Sequence, residues 1–109
     1  MKAEEKIHQL QHAEHNMQQL LMQKQSFQAQ LLEIESAQEE IKNTDTVYKV
    51  VGNLMLKSKK EDVEKELKEK SETVSLRIKN IEKQEERAQE EIKKLREEIM
   101  QNASESKKK

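Results

Sequence analysis

The chain has 109 residues, of which 39% are charged and 32% apolar, with Phe27 and Tyr48 its only aromatics. Compact domains of this length carry about 45–50% apolar residues, so a sizeable globular core is excluded. The 21 basic and 22 acidic side chains nearly cancel to a net charge of −1. No long-range field therefore favours nucleic acid or an anionic membrane, and the lack of cysteine removes disulfide and thiolate chemistry.

The opening residues, Met1-Lys2-Ala3-Glu4-Glu5-Lys6, lack the apolar run of a signal peptide, and no stretch reaches transmembrane length. A cytoplasmic protein is expected. A first helix is predicted over 3–43. Stepping alternately three and four from Leu10 gives Leu10, Ala13, Met17, Leu20, Lys24, Phe27, Leu31, Ile34, Gln38 and Ile41, and eight of these ten are apolar. Such a narrow seam packs knobs into holes against a partner helix, and its 3.5-residue period implies a left-handed supercoil. The helix should stop at the polar cluster Asn43-Thr44-Asp45.

His8, His12 and His15 share one side of this helix. Three imidazoles so spaced could meet a transition metal, but they lie opposite the seam and no acidic or cysteine partner completes a shell. They are read as surface, and no metal or cofactor is expected.

A β-hairpin is predicted over 47–57, in Val47-Tyr48-Lys49-Val50-Val51-Gly52-Asn53-Leu54-Met55-Leu56-Lys57. Gly52-Asn53 suits a type II′ turn, whose first position needs a positive φ. That register pairs Val51 with Leu54, Val50 with Met55, Lys49 with Leu56 and Tyr48 with Lys57. One face then carries Val47, Val51, Leu54 and Leu56, and the other Tyr48, Val50 and Met55. A lone hairpin is marginal and open apolar edges invite other chains. A sheet or barrel built from the hairpins of several subunits is the expected outcome, so Val47, Tyr48, Val50, Val51, Gly52, Leu54, Met55 and Leu56 are the candidate oligomerisation residues.

A second helix is predicted over 59–102, opened by a capping box of Ser58 and Glu61 and followed by a flexible tail over 103–109. Its seam is Leu67, Ser71, Val74, Ile78, Ile81, Glu85, Ala88, Ile92, Leu95 and Ile99, again eight apolar in ten. The fold class is mainly α: one domain, 1–109, forming a long antiparallel two-helix coiled coil around a central hairpin. Taking the turn as the midpoint sets Ile41 opposite Glu61 and Leu10 opposite Ile92. Each helix then extends about 60 Å, with both chain ends at a free tip. Lys24, Gln38, Ser71 and Glu85 interrupt the seams, either to select register or simply because long side chains reach out to water.

With the hairpin and the following Lys60-Glu61-Asp62-Val63, Glu66-Leu67 and Arg77-Ile78-Lys79-Asn80-Ile81-Glu82-Lys83-Gln84-Glu85-Glu86, the sequence resembles the prefoldin beta subunits, archaeal members above all. The single hairpin favours beta over alpha class. The resemblance implies a hexamer of two alpha and four beta subunits on a β-barrel platform, holding unfolded proteins at its arm tips without ATP and passing them to a group II chaperonin. Fraying at the tip makes Ile7, Leu10, Leu95, Ile99 and Met100 the candidate client-binding residues.

No enzyme is expected, because one glycine cannot form a phosphate loop and solvated carboxylate pairs lack an apolar pocket to separate their pKa values. Two rival readings remain. One is a structural or adaptor coiled-coil homo-oligomer with a specific folded partner, which has no use for two apolar strands in mid-chain. The other is a helical nucleic-acid-associated protein, which the balanced charge disfavours.

Overall fold

A computed structural model describes residues 2–107. Helix α1 spans Lys2–Lys42, strands β1 and β2 span Val47–Val51 and Leu54–Ser58, and helix α2 spans Lys60–Lys107. The two strands form one antiparallel sheet, with Val51 paired to Leu54, Val50 to Met55, Lys49 to Leu56 and Tyr48 to Lys57, the register expected from sequence. Gly52 has φ +60° and no other described residue has a positive φ. A type I′ turn needs positive φ at both central positions, so the negative φ of Asn53 leaves II′.

Local chemistry accounts for the helix ends. At the end of α1, Asn43 N–H donates to Glu40 O at 3.2 Å and Thr44 N–H to Ile41 O at 3.3 Å, a tightened three-residue closure that satisfies terminal carbonyls. Thr44 Oγ1 donates to Glu40 O at 3.0 Å, and Lys60 Nζ reaches Lys42 O at 3.4 Å.

Two sequence expectations need correction at α2. Ser58 belongs to β2 and its Oγ donates to Leu56 O at 3.4 Å, so no capping box forms. The first turn is closed instead by Val63 N–H to Lys59 O at 3.2 Å. The helix also runs to Lys107 rather than stopping at 102. Its end carries no glycine or proline to break it, and a hydrogen-bonded helix propagates readily through such residues. The last two residues of the expected tail lie outside the described ones.

The chain divides into two compact units, each built from a segment of α1 packed on a segment of α2. The distal unit joins residues up to Gln25 with those from Asn80, and the hairpin-bearing unit runs Ser26–Lys79. All twenty seam positions are buried or half-buried, and the eight most buried apolar residues (Ala13, Leu20, Ile41, Val74, Ile81, Ala88, Ile92 and Leu95) all lie on the seams.

In the distal unit, Leu10 and Met17 pack on a core of Ala13, Ile92 and Leu95. Lys24 Nζ meets Glu85 Oε1 at 2.8 Å, Lys6 meets Glu98 at 3.2 Å, and Arg96 meets Glu14 at 3.2 Å. In the hairpin-bearing unit, Ile41 lines a groove with Val63 and Leu67, beside Thr44, Val47 and Tyr48. Ile34 shares a groove with Val74, and the Arg77 guanidinium lies 5.6 Å from the centre of the Phe27 ring.

These contacts offset the helix register from the midpoint estimate, although Leu10 still packs on the cluster that holds Ile92. Ile41 sits with Leu67 rather than opposite Glu61, and Lys24 meets Glu85 instead of Ile78. The cause is an asymmetric connection. Four residues separate α1 from β1, but one residue separates β2 from α2. The first turns of α2 therefore run alongside β1, where Lys49 Nζ and Glu66 Oε1 are 2.7 Å apart.

Candidate functional site

Among the described residues no buried side-chain nitrogen or oxygen lacks a hydrogen-bond partner, and no three His, Asp or Glu side chains cluster as metal ligands. None of the described helices is long and apolar enough to cross a membrane.

The first surface is the hairpin. β-branched and long apolar side chains favour the pleated strands, yet the sheet has only two strands to cover them. Tyr48, Val50, Val51, Leu54, Met55 and Leu56 are all exposed, Val50 at 65% and Met55 at 68%. On the face of Val47, Lys49, Val51, Leu54, Leu56 and Ser58, the end nearest the helices is half-covered: Val47, Lys49 and Ser58 are half-buried. Glu66 binds Lys49 there, and that hydrogen bond holds the Glu66 carboxyl below the usual carboxylate range. Val47 and Tyr48 share the groove containing Val63. Tyr48, Val50 and Met55 on the opposite face stay open. Val63 lies four residues before Leu67 and so continues the α2 seam towards the hairpin. That spacing is legible in the sequence, although the seam read from it begins at Leu67.

The second surface is the end of the distal unit where α1 begins. Of the five candidate residues there, Ile7 and Met100 are exposed, the latter at 72%. Leu10 and Ile99 are half-buried, and Leu95 is core, 7% exposed against Ala13 and Ile92. The structure thus divides the set into two open apolar side chains and three that the seam covers. Met100 borders an open groove on α2 with Gln89, Lys93, Arg96 and Glu97. Leu21, Met22 and Leu32 are exposed, as their off-seam positions imply, and so is Leu76, which lies two residues beyond Val74 and thus off the seam.

His8, His12 and His15 are exposed, and His15 shares a hydrogen bond of 3.2 Å with Gln19.

Comparison with known proteins agrees with this arrangement. A family model described as prefoldin subunit matches residues 4–106. The prefoldin subunit beta of Archaeoglobus fulgidus is 41% identical over 87 residues, covering 77% of this chain and 75% of its own. That of Methanospirillum hungatei is 37% identical over 101 residues, covering 90% and 84%. That of Pyrococcus furiosus is 40% identical over 94 residues, covering 84% and 80%. The crystal structure of the prefoldin beta subunit from Thermococcus strain KS-1 superposes with a TM-score of 0.87 at 35% identity, covering 93% of this chain and 91% of that one. One hairpin between two long helices, an apolar seam on each helix and this agreement along nearly the whole length make the chain a member of the prefoldin family, of the beta type.

Proposed function

We propose that this subunit works as an ATP-independent holdase inside a hexamer of two alpha-type and four beta-type subunits. It would capture unfolded proteins at the ends of its helices and release them to a group II chaperonin. Membership of the prefoldin family already brings a chaperone-type role and assembly with other prefoldin subunits. The observation that carries the reading is the contrast between a closed seam and an open hairpin. Within each unit the helices satisfy one another, whereas the hairpin leaves six apolar side chains exposed on a two-stranded sheet.

A sheet with open edges and apolar faces gains most by pairing with further hairpins, which supports a β-barrel between subunits. Assembly then presents several distal ends together. Each offers little apolar surface, Ile7 and Met100 first, but joined contacts gain from effective concentration. No nucleotide chemistry enters this mechanism: binding follows from apolar area removed from water and reverses when another partner covers the client.

The test is light scattering of a client diluted from denaturant, with and without the complex assembled from this chain and an alpha-type subunit. Suppressed aggregation without nucleotide, followed by transfer when a group II chaperonin is added, is expected. Unimpeded aggregation would overturn the reading.

A further inference from the structure

In the distal unit the two helices present very different surfaces to water. Between residues 7 and 25, α1 carries only two charged side chains, Glu14 and Lys24, and both are engaged, by Arg96 and Glu85. Between residues 80 and 103, α2 carries twelve. Opposite its seam, α1 shows Gln11, His15, Gln18, Met22 and Gln25, all exposed and spaced by three and four residues, one continuous stripe. The corresponding stripe on α2 is Lys83, Glu86, Glu90, Lys94 and Glu97, exposed and charged at every position. Neutral solvation of so long a face is unusual in a chain that is 39% charged, and the seam does not require it.

We infer that this outer stripe of α1, rather than the outer face of α2, is the surface along which an extended, unfolded polypeptide of either net charge lies. The inference deepens the holdase reading and rests on it. Glutamine amides both donate and accept hydrogen bonds, so they pair with peptide groups whatever the client's sequence. Met22 adds an adaptable apolar contact. A neutral stripe repels neither acidic nor basic segments, whereas fixed charges disfavour partners of like sign. Lysines and glutamates at every position of the α2 stripe would also have to give up water.

By itself the stripe is too small for a stable folded partner or a second copy. From Gln11 to Gln25 the stripe is about 21 Å long on a helix about 10 Å wide. Its area, on the order of 200 Å², is well short of the ~800 Å² per partner of a standard interface. It does match about six residues of extended chain.

The experiment uses the complete complex with its alpha-type subunit and two matched sets of surface changes. One is Gln11→Lys, Gln18→Lys and Gln25→Lys on α1. The other is Asn80→Lys, Gln84→Lys and Gln101→Lys on α2. All six positions are exposed, so both sets leave the seams untouched. The probes are one strongly basic and one strongly acidic denatured client. The α1 set is expected to weaken capture of the basic client about tenfold while retaining the acidic one, and the α2 set to change neither. Equal effects of the two sets, or no effect of either, would overturn the inference while leaving the holdase reading intact. Unaltered complex that holds neither client would overturn both. Photo-cross-linkers at Gln18 and Glu90 supply the second measurement. Client adducts at Gln18 are expected, whereas adducts mainly at Glu90, or links between two copies of the chain at Gln18, would overturn the assignment.

Discussion

Lys24 Nζ and Glu85 Oε1 lie 2.8 Å apart inside the seam, with their side chains only 21% and 12% exposed. Each residue alone breaks an apolar run. Together they form one polar layer in which each is the other's partner. A slip of one heptad would set Lys24 against Ile78 and Glu85 against Met17. Buried polar layers that forbid a slipped register are an established way to specify a coiled coil, at a cost in stability.

A cycle of substitutions checks this layer. Glu85→Leu deprives the half-buried Lys24 ammonium of its hydrogen-bond partner, and should lower the thermal midpoint of the helical signal by several degrees. Lys24→Leu with Glu85→Leu together should recover that loss or exceed the original stability, because a well-packed apolar pair commonly matches a buried ion pair. Cysteine pairs placed to report each register would show the slipped form gaining population in the double variant. A double variant less stable than Glu85→Leu alone would contradict the role assigned to the layer.

Two ion pairs set the expected pH response. The hydrogen bond to Glu85 raises Lys24 above its ordinary 10.5, against a smaller opposing effect of burial. A group raised on folding contributes stability fully below its unfolded value and loses it as pH climbs through the folded one. Helix unfolding should therefore become easier above about pH 10.5, and Lys24→Met should lessen that alkaline dependence. Glu66 is lowered from 4.5 by its hydrogen bond to Lys49, so its contribution is present above that value and fades as pH falls through the lower folded one. Glu66→Gln should flatten the acid limb of a titration followed by circular dichroism.

Much of this was legible because periodicity reports local geometry. The twenty seam positions and the hairpin register needed only side-chain spacing and one glycine. Helix-to-helix register was not legible, because it depends on how the connections are spent. Four residues lead into β1 and one leads out of β2, and a symmetric midpoint ignores that difference. The capping box at Ser58 failed for a similar reason: the strand kept that residue in the ladder opposite Val47. At the distal end, sequence grouped Leu95 with Met100, whereas packing against Ala13 and Ile92 separates them.

The hairpin supplies the next test. Val51→Asp with Leu54→Asp puts two carboxylates on one cross-strand pair of the exposed sheet. Both positions are exposed in the single chain, so the helices should keep their circular dichroism. If other hairpins cover this face, an unpaired buried charge costs several kcal/mol unless the subunits separate. Sedimentation with the alpha-type subunit should show dissociation, and an unchanged oligomer mass would refute the platform.

Gly52 separates backbone demands from packing demands. A Cβ added there meets no atom within 4 Å, yet φ is +60°. Gly52→Val is therefore expected to cost about 1–2 kcal/mol through the backbone alone, weakening assembly without a clash. Gly52→Asn should cost less, since asparagine tolerates a left-handed backbone. Equal losses for valine and asparagine, measured as the concentration at which the complex dissociates, would mean that the turn conformation is not what the glycine serves.

The distal end offers the sharpest separation of holding from stability. Ile7 and Met100 are open to solvent, whereas Leu95 belongs to the core with Ala13 and Ile92. Leu95→Ala should destabilise the helix pair by about 2–5 kcal/mol, as large-to-small core changes do. Ile7→Ser with Met100→Ser removes no core contact, so the thermal midpoint should hold. Burying an aliphatic side chain contributes about 1.5–3 kcal/mol, and several subunits contribute together, so the same pair of changes should sharply reduce suppression of client aggregation. The decisive comparison is light scattering for both variants at a temperature where each complex is intact. Should Ile7→Ser with Met100→Ser hold clients as well as the unaltered complex while Leu95→Ala does not, client binding would depend on the seam itself. Fraying that exposes Leu10, Leu95 and Ile99 would then be the working state of the distal end.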